Sequence, residues 1–531
     1  MDHYHAAVFG WAFVLKTSVK QVKSMKSLQH QHVMITGLGI SGLAMARWCA
    51  RQGAKVTVVD TRANPPQLQQ LQDELPDVHF IHSQFEAALI ADVEIQYLLI
   101  SPGIKPADLT DIVLSAKEQA IHIGNELTLF NMALADLKES ENYKPHVLAV
   151  TGTNGKTTVT SLVGKLVACA HMTVAVAGNI GPSLLDTLGS KIDAYELPEV
   201  WVLELSSFQL NDAHGFEPTA GVVLNVTQDH LDWHETMTSY VDAKAHVYGS
   251  HSTMVINRDD EVVMGMLANA RKINKHRKYC TFGSDLPTRL GDYGLESVNG
   301  MSWLVRAASV EDVVIKKQRS LMEPVIELSM QRLIPTDALR IRGQHNMLNA
   351  LAALSLVESI GCSISRVLYG LRDYKGESHR VESIGIFNGV EYFDDSKGTN
   401  VGATVAAISG LGIERKLVVI LGGDGKGQDF SPLIELVSKF VRAVVFMGKD
   451  KAIIGDVLKN IDVPKVSVDA MPQAVLAAEK LSQNGDAILL SPACASLDMF
   501  ENYEHRGRVF QAEVLKLIGK QALKMKEGVA L

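Results

Sequence analysis

The sequence predicts an α/β protein built on parallel sheets and divided into three or four domains. Three observations lead there. Short β-branched apolar runs alternate with helical patterns along most of the 531 residues. Runs apolar at every position read as strands covered on both faces, as parallel strands between helix layers are. Glycine-rich turns follow several of these runs directly. The length, at roughly 150 residues per domain, exceeds what one hydrophobic core serves.

The expected strands are 32–36, 55–60, 97–101, 146–151, 199–205, 221–225, 417–421, 443–447 and 487–491. Apolar residues make up 47% and charged residues 21%, ample for cores and too apolar for disorder. Lys and Arg number 51 against 59 Asp and Glu, a net charge of −8. Such mild acidity gives no broad attraction to nucleic acid or anionic lipid. The basic cluster Arg271, Lys272, Lys275, Arg277 and Lys278 is therefore read as a solvated turn. Cys49, Cys169, Cys280, Cys362 and Cys494 are far apart, odd in number and free of CxxC pairs. That argues against a disulfide scaffold or structural zinc and fits a reducing cytoplasm. No stretch has the roughly 18 apolar residues of a membrane span. The apolar run 6–15 is followed, not preceded, by lysines, so it is a poor secretory signal, and residues 1–24 are expected to be an extension outside the fold. The charged segment 138–145, ending in Pro145, reads as a surface connection, and 270–340 shows no period that defines elements.

Three turns carry chemistry. GLGISG (37–42) lies between a strand and a helix, and Asp60 ends the next strand. This is a diphosphate fingerprint, with glycines for close backbone approach and a helix N-terminus for charge; a dinucleotide with Asp60 on its ribose is the first guess, and a turn without ligand the plain alternative. TGTNGKTT (151–158) is more specific. Lys156 supplies a compact cation, Thr157 a hydroxyl for Mg²⁺, and the loop a cradle of N–H groups, although Gly152 stands only three positions before Gly155. GGDGKG (422–427) places Lys426 at a strand's carboxyl end, where it suits an anionic substrate or is simply a turn.

Polar residues at strand ends come next. Glu204 closes an apolar strand, and a carboxylate there must be paired, metal-bound or terminal. Asp229 and His230 follow the strand 221–225 and would emerge near Glu204 if the two strands are neighbours; with a triphosphate nearby they suit Mg²⁺ or Mn²⁺. Lys244, on the helical stretch 239–248, reads from spacing alone as a surface lysine. The turn 393–400 gathers acid, base and hydroxyl; the segment 491–498 is expected to begin a helix, with Cys494 a buried thiol and not a nucleophile.

Together and in order, these motifs resemble the Mur ligase family of peptidoglycan synthesis. The resemblance spans about residues 30–515 and includes SPGI (101–104), AGNIG (177–181), ELSSFQL (204–210), NVTQDHLD (225–232), DAKAHVY (242–248), GQHNMLNALAAL (343–354), HRVE (379–382), DDSKGTN (394–400) and SPACASLDMF (491–500). Within the family it is nearest to members that add D-glutamate. The resemblance implies three domains: 25–123, Rossmann-like and holding a UDP-substrate; 124–376, a P-loop ATPase-like parallel sheet; and 377–531, Rossmann-like and holding the amino acid. It reassigns the first turn from a dinucleotide to UDP, with Gly39, Ser41, Asp60, Thr61, Arg62, Ser101, Pro102 and Gly103 in that role.

By the same resemblance, Gly152, Thr153, Asn154, Gly155, Lys156, Thr157 and Thr158 bind ATP, with Asn346 and Asn349 at adenine and Arg380 and Asp395 reaching it from the third domain. Lys156, Asn179, His230 and Lys244 are the implied catalytic set, and Thr157, Glu204, His230 and Lys244 the metal set. Lys244 is implied to be carbamylated, the metal to be two Mg²⁺ ions with Mn²⁺ able to replace them. Lys397, Thr399, Lys426, Ser496, Leu497 and Phe500 fall where D-glutamate is held. The implied partners are UDP-N-acetylmuramoyl-L-alanine and D-glutamate, with no nucleic acid, for a cytoplasmic monomer. Other classes stay open at this point: a nicotinamide-dependent dehydrogenase, a nucleotide switch without ligase chemistry, or a relative that adds another amino acid or glutamate to folate.

Overall fold

The computed structural model describes residues 28–528 apart from 92, 214, 310–327 and 414, so the extension 1–24 lies outside the described residues. Three sheets follow one another along the chain. The first holds β1 (His32–Thr36), β2 (Lys55–Asp60), β3 (His79–His82), β4 (Tyr97–Ile100) and β5 (His122–Gly124), all parallel in the order β3-β2-β1-β4-β5. The second holds β6 (His146–Thr151), β7 (Val174–Gly178), β8 (Val200–Glu204), β9 (Ala220–Val223), β10 (Thr253–Asn257), β11 (Tyr279–Phe282), β12 (Tyr293–Val298), β13 (Met301–Ser309) and β14 (Leu328–Pro335). Its order is β14-β13-β12-β11-β10-β9-β6-β8-β7, parallel from β7 to β12 and antiparallel beyond. The third holds β15 (Glu382–Phe387), β16 (Val390–Asp394), β17 (Leu417–Leu421), β18 (Val441–Phe446), β19 (Lys465–Ser467) and β20 (Ala487–Leu490) in the order β15-β16-β20-β17-β18-β19, with β15 alone antiparallel.

The all-apolar runs are buried on both faces; β8 and β17 are buried at every position. The first two sheets share a core. Helices Ile40–Arg51, Glu126–Glu141 and Leu184–Asp193 interleave there, and Phe130 meets Trp201 edge-on at 5.1 Å. The third sheet has a separate core on each face.

Several expectations are corrected. Residues 138–141 are the last turn of helix Glu126–Glu141, stopped by left-handed Asn142 at φ +56°. The stretch 270–340 carries β11 to β14; charges on its exposed strand faces, such as the Arg332–Glu296 pair at 2.7 Å, hide the two-residue period. Arg277 is buried, not solvated, and donates to the Gly249 carbonyl at 3.0 Å and to Ser252 Oγ at 3.2 Å. Residues 491–498 start no helix, because Ala495 exchanges backbone hydrogen bonds with Asp424 at 2.9 and 3.0 Å, which holds the segment in a bridge. Cys494 is buried, and burial pushes its thiol up to about 12. β8 and β9 are not neighbours, since β6 runs between them.

Candidate active site

β6 delivers the loop 151–158 at its carboxyl end. Gly155 has φ +84°, and a Cβ there would stand 2.7 Å from Asn349 Oδ1, so both backbone shape and space call for glycine. The loop is pinned from β9's extension: Thr153 N–H donates to the Asn225 carbonyl and Asn154 N–H to Asn225 Oδ1, each at 2.9 Å. Helix Lys156–Cys169 then begins, its first N–H groups free for an anion. Lys156 Nζ lies over the loop, donating to the Gly152 and Thr153 carbonyls at 2.8 Å each. Burial holds its ammonium below the usual lysine range, with Glu204 opposing the effect and Arg380 adding to it.

Glu204 closes β8 beside this loop and is 1% exposed. Asn179 Nδ2 donates to its Oε1 at 2.9 Å, while Oε2 is buried without a partner among the described residues. A buried carboxylate oxygen left unpaired is costly, and a hard cation would satisfy it. His230 enters from the far side of β6 at φ +54°, its ring edge-on to Phe208 at 4.8 Å. Burial lowers its pKa, which leaves the imidazole neutral and free to ligate. Lys244, expected at the surface, is 1% exposed; its Nζ donates to the Gly152 carbonyl at 2.9 Å and lies 4.5 Å from the centre of the Tyr240 ring. Burial, reinforced by Lys156, drives its pKa well down. Helix Met237–Ala245 starts at a Thr236 cap and carries Lys244 in its last turn, under the loop.

The third sheet closes the site. Arg380 Nη2 donates to Thr157 Oγ1 at 2.5 Å. Asp395, just past β16, accepts from Ser491 Oγ at 2.6 Å, and burial pushes its carboxyl up to about 7. Lys397 Nζ stands 3.7 Å from the centre of the Tyr503 ring, and burial brings it down to about 8. Asn400 caps helix Val401–Gly412 and donates to Asn154 Oδ1 at 3.3 Å. Between them lies a cleft of about 1060 Å³ whose walls include Lys156, Glu204, His230, Arg380, Thr399 and Lys426. A side chamber of about 130 Å³ is bounded by Asn346, Asn349, Thr158 and Phe282.

The first sheet presents its own residues at the carboxyl edges of β1, β2 and β4. Asp60 is buried there and accepts from Leu38 N–H at 2.7 Å and from Arg62 Nη2 at 2.8 Å, so it orders the glycine turn and Arg62. The Thr61 carbonyl accepts from His82 at 3.2 Å. Gly39 caps helix Ile40–Arg51, and Ser41 Oγ donates to buried Glu126. Ser101, Pro102 and Gly103 follow β4 and run into Ile104, whose carbonyl accepts from Trp233 Nε1 at 2.9 Å. That contact sets the edge beside the segment bearing His230.

Three family models match successive parts of the chain: the Mur ligase MurD-like N-terminal domain over residues 31–124, the Mur ligase middle domain over 150–357, and the Mur ligase glutamate ligase domain over 379–494. The chain belongs to the Mur ligase family. A UDP-N-acetylmuramoylalanine–D-glutamate ligase of Albidiferax ferrireducens is 57% identical over 93% of this chain and 97% of its own length. Enzymes of the same name are 48% identical in a Polaromonas species (96% of this chain and 100% of the relative) and 49% in Burkholderia mallei (92% and 97%). Among solved structures, the MurF ligase of Thermotoga maritima in complex with ADP has TM-score 0.53 at 16% identity, covering 93% of this chain and 97% of that one, which shows a shared fold.

Of the six residues that the Mur ligase resemblance implied for D-glutamate, Lys397, Thr399 and Lys426 line the cleft and three do not. Ser496, Leu497 and Phe500 are not among the described residues lining the cleft. Ser496 is buried, Leu497 faces solvent, and Phe500 packs against a core of the third sheet. Tyr503, which sequence reading passed over, lines the cleft, as do Asn400 and Asp229, the latter singled out in the sequence beside His230. Asn400 carried a signal, a capping residue before an apolar helix; Tyr503 follows a capping residue too, since Asn502 Oδ1 accepts from His505 N–H at 2.7 Å, but nothing local says that the helix start faces the cleft.

Proposed function

We propose that this chain is an ATP-dependent ligase that joins D-glutamate to the L-alanyl carboxylate of UDP-N-acetylmuramoyl-L-alanine, acting in the cytoplasm as a monomer. The observation that carries the reading is one cleft whose walls bring together loop residues 153–157, Glu204 with its unpaired buried oxygen, and the cations Lys397 and Lys426. A triphosphate, a divalent cation and two carboxylate substrates have complementary partners there. The names of the relatives specify the substrates.

A carboxylate is a poor electrophile at neutral pH, so it must be activated. The alanyl carboxylate oxygen attacks the γ-phosphorus of ATP; the bond to the β–γ bridging oxygen breaks, and ADP leaves. The D-glutamate amine then attacks the acyl carbon of the acyl phosphate; phosphate departs, the amide forms and a proton is released. Lys156 and the loop N–H groups hold the phosphates and stabilise the charge that spreads over the transferring group. Arg380 and Asp395 hold the nucleotide from the third sheet, Asn346 and Asn349 hold adenine, and Lys397, Thr399 and Lys426 hold D-glutamate. The UDP part lies along Gly39, Ser41, Asp60–Arg62 and Ser101–Gly103. Enclosure between the sheets excludes water from the acyl phosphate.

Thr157, Glu204, His230 and Lys244 fit a magnesium site, on the strength of the unpaired Glu204 oxygen and the neutral His230 ring. Bound Mg²⁺ neutralises phosphate charge as a Lewis acid. Lys244 would join them as its carbamate: burial favours its amine over the ammonium, and the amine would add to the CO₂ carbon with loss of one proton.

The test is an amino-acid panel with purified enzyme, ATP, Mg²⁺ and UDP-N-acetylmuramoyl-L-alanine. ADP and phosphate should form one for one with amide only when D-glutamate is present. Turnover with a different amino acid, or phosphate release without the UDP-substrate, would refute the assignment.

A further inference from the structure

Arg380 reaches Thr157 from an unusual stretch of backbone. Both residues beside it are left-handed, His379 at φ +63° and Val381 at φ +51°, and neither is glycine. A β-branched residue in that region is strained, and such a conformation persists only where its surroundings over-determine it. The surroundings here are a compact polar cluster. His379 Nδ1–H donates to Asp394 Oδ2 at 2.7 Å, and His379 N–H donates to Glu382 Oε2 at 2.9 Å. These three side chains offer ligand atoms within 4.8 Å of one another, an arrangement that could hold a cation.

An amide nitrogen stands among them instead. Gln511 Nε2 lies 2.9 Å from Asp394 Oδ2, 3.1 Å from Glu382 Oε2 and 3.4 Å from His379 Nδ1. Its two N–H donors tie the two carboxylates together. Gln511 is on the last helix, Tyr503–Gly528, and the same stripe continues at four-residue steps. At Gly507 a Cβ would lie 2.2 Å from His379 Nδ1, so the helix backbone presses on the histidine. Tyr503 meets the His379 ring at 6.4 Å and covers Lys397 at 3.7 Å.

We propose that Gln511 is a positioning residue for the nucleotide: by clamping His379, Glu382 and Asp394, it fixes the 379–381 backbone and so aims Arg380 at the phosphate loop. Asp395 is aimed by the same clamp, since it follows Asp394 and the Val381 amide bonds its carboxyl. The terminal helix, distant in sequence from every phosphate-binding motif, thereby becomes part of the ATP site. The inference rests on Arg380 contacting ATP.

The experiment is a double-mutant cycle of Gln511→Met and Arg380→Ala, read as KM for ATP, KM for the UDP-substrate and melting midpoint. Methionine keeps the length and removes both donors. Gln511→Met should raise KM for ATP by about tenfold, leave KM for the UDP-substrate within about twofold, and add little once Arg380 is alanine, because groups acting as a unit are non-additive. Gln511→Asn, which keeps the donor but withdraws it, should fall between, and takes the place of methionine in the cycle if that variant is insoluble. An unchanged KM for ATP, an equal loss in the Arg380→Ala background, or equal shifts for both substrates with a lowered melting midpoint would each overturn the inference. If Arg380→Ala alone leaves KM for ATP unaltered, the underlying nucleotide assignment fails and the inference falls with it.

Discussion

Lys244 shows how little a residue's spacing reveals about its chemistry. Its helix is short and polar enough to read as surface, yet the side chain is fully enclosed beneath Gly152. An enclosed lysine with no carboxylate in hydrogen-bond contact among the described residues is a stability cost, because the unfolded chain binds a proton that the folded site holds weakly, Asp229 offsetting only part of it. Its folded pKa is lowered, so the cost is full below that pKa, shrinks as pH rises, and vanishes above the ordinary lysine value of about 10.4. Lys244→Met should therefore raise the melting midpoint by a few degrees in CO₂-free buffer at neutral pH, with the gain fading toward pH 10 to 11. The same change should abolish ligation. Lys244→Ala activity should return in part with a short carboxylic acid that stands in for the proposed carbamate. A melting midpoint that falls, or a gain independent of pH, contradicts the buried-amine account.

The loop 151–158 shows what an element adds. Its residues were all legible in sequence, and strand β6 and helix Lys156–Cys169 flank it as that motif requires. Gly155 is where the loop turns into the helix. Gly155→Ala puts a Cβ into left-handed backbone, costing about 1–3 kcal/mol, and sets it against Asn349 Oδ1 at 2.7 Å. Nucleotide titration should show affinity reduced at least about tenfold with the circular dichroism spectrum unchanged; retained affinity would mean that the loop does not bind in this shape. Strands and glycine turns could be read because their signals are local. What could not be read depends on contacts distant in sequence. β12 to β14 hide behind charges on one face, the 491–498 segment is held by Asp424 and not by its own capping residues, and Tyr503 reaches a cleft whose other walls lie far away in sequence. Glu204 and His230 were placed together on the premise that β8 and β9 adjoin; they come together although β6 separates their strands, because all three strands end on the same edge.

Across the whole molecule, the distribution of cores decides what moves. The first two sheets share an apolar core, whereas both faces of the third sheet are packed by that domain's own helices. Among the contacts that join it to the rest are helix Gln344–Ser359 against Val401–Gly412 and the polar pairs Arg380–Thr157, Asn400–Asn154 and Asn400–Asp229. Interfaces of that kind within a chain resemble transient ones, and relative motion is their default behaviour. Arg380–Thr157 and Asn400–Asn154 end on the phosphate loop, so a bound triphosphate adds charge where Arg380 points and favours the closed arrangement over any open one. Small-angle scattering should accordingly show the radius of gyration fall when a non-hydrolysable ATP analogue and Mg²⁺ are added, toward the roughly 24 Å of a compact chain of this length. Arg380→Ala should lose that contraction while binding of the UDP-substrate, whose UDP part the proposed function puts at the first sheet's edge, persists. An unchanged radius with saturating nucleotide would mean that the third domain is already fixed in place, and closure would then have no part in shielding the acyl phosphate.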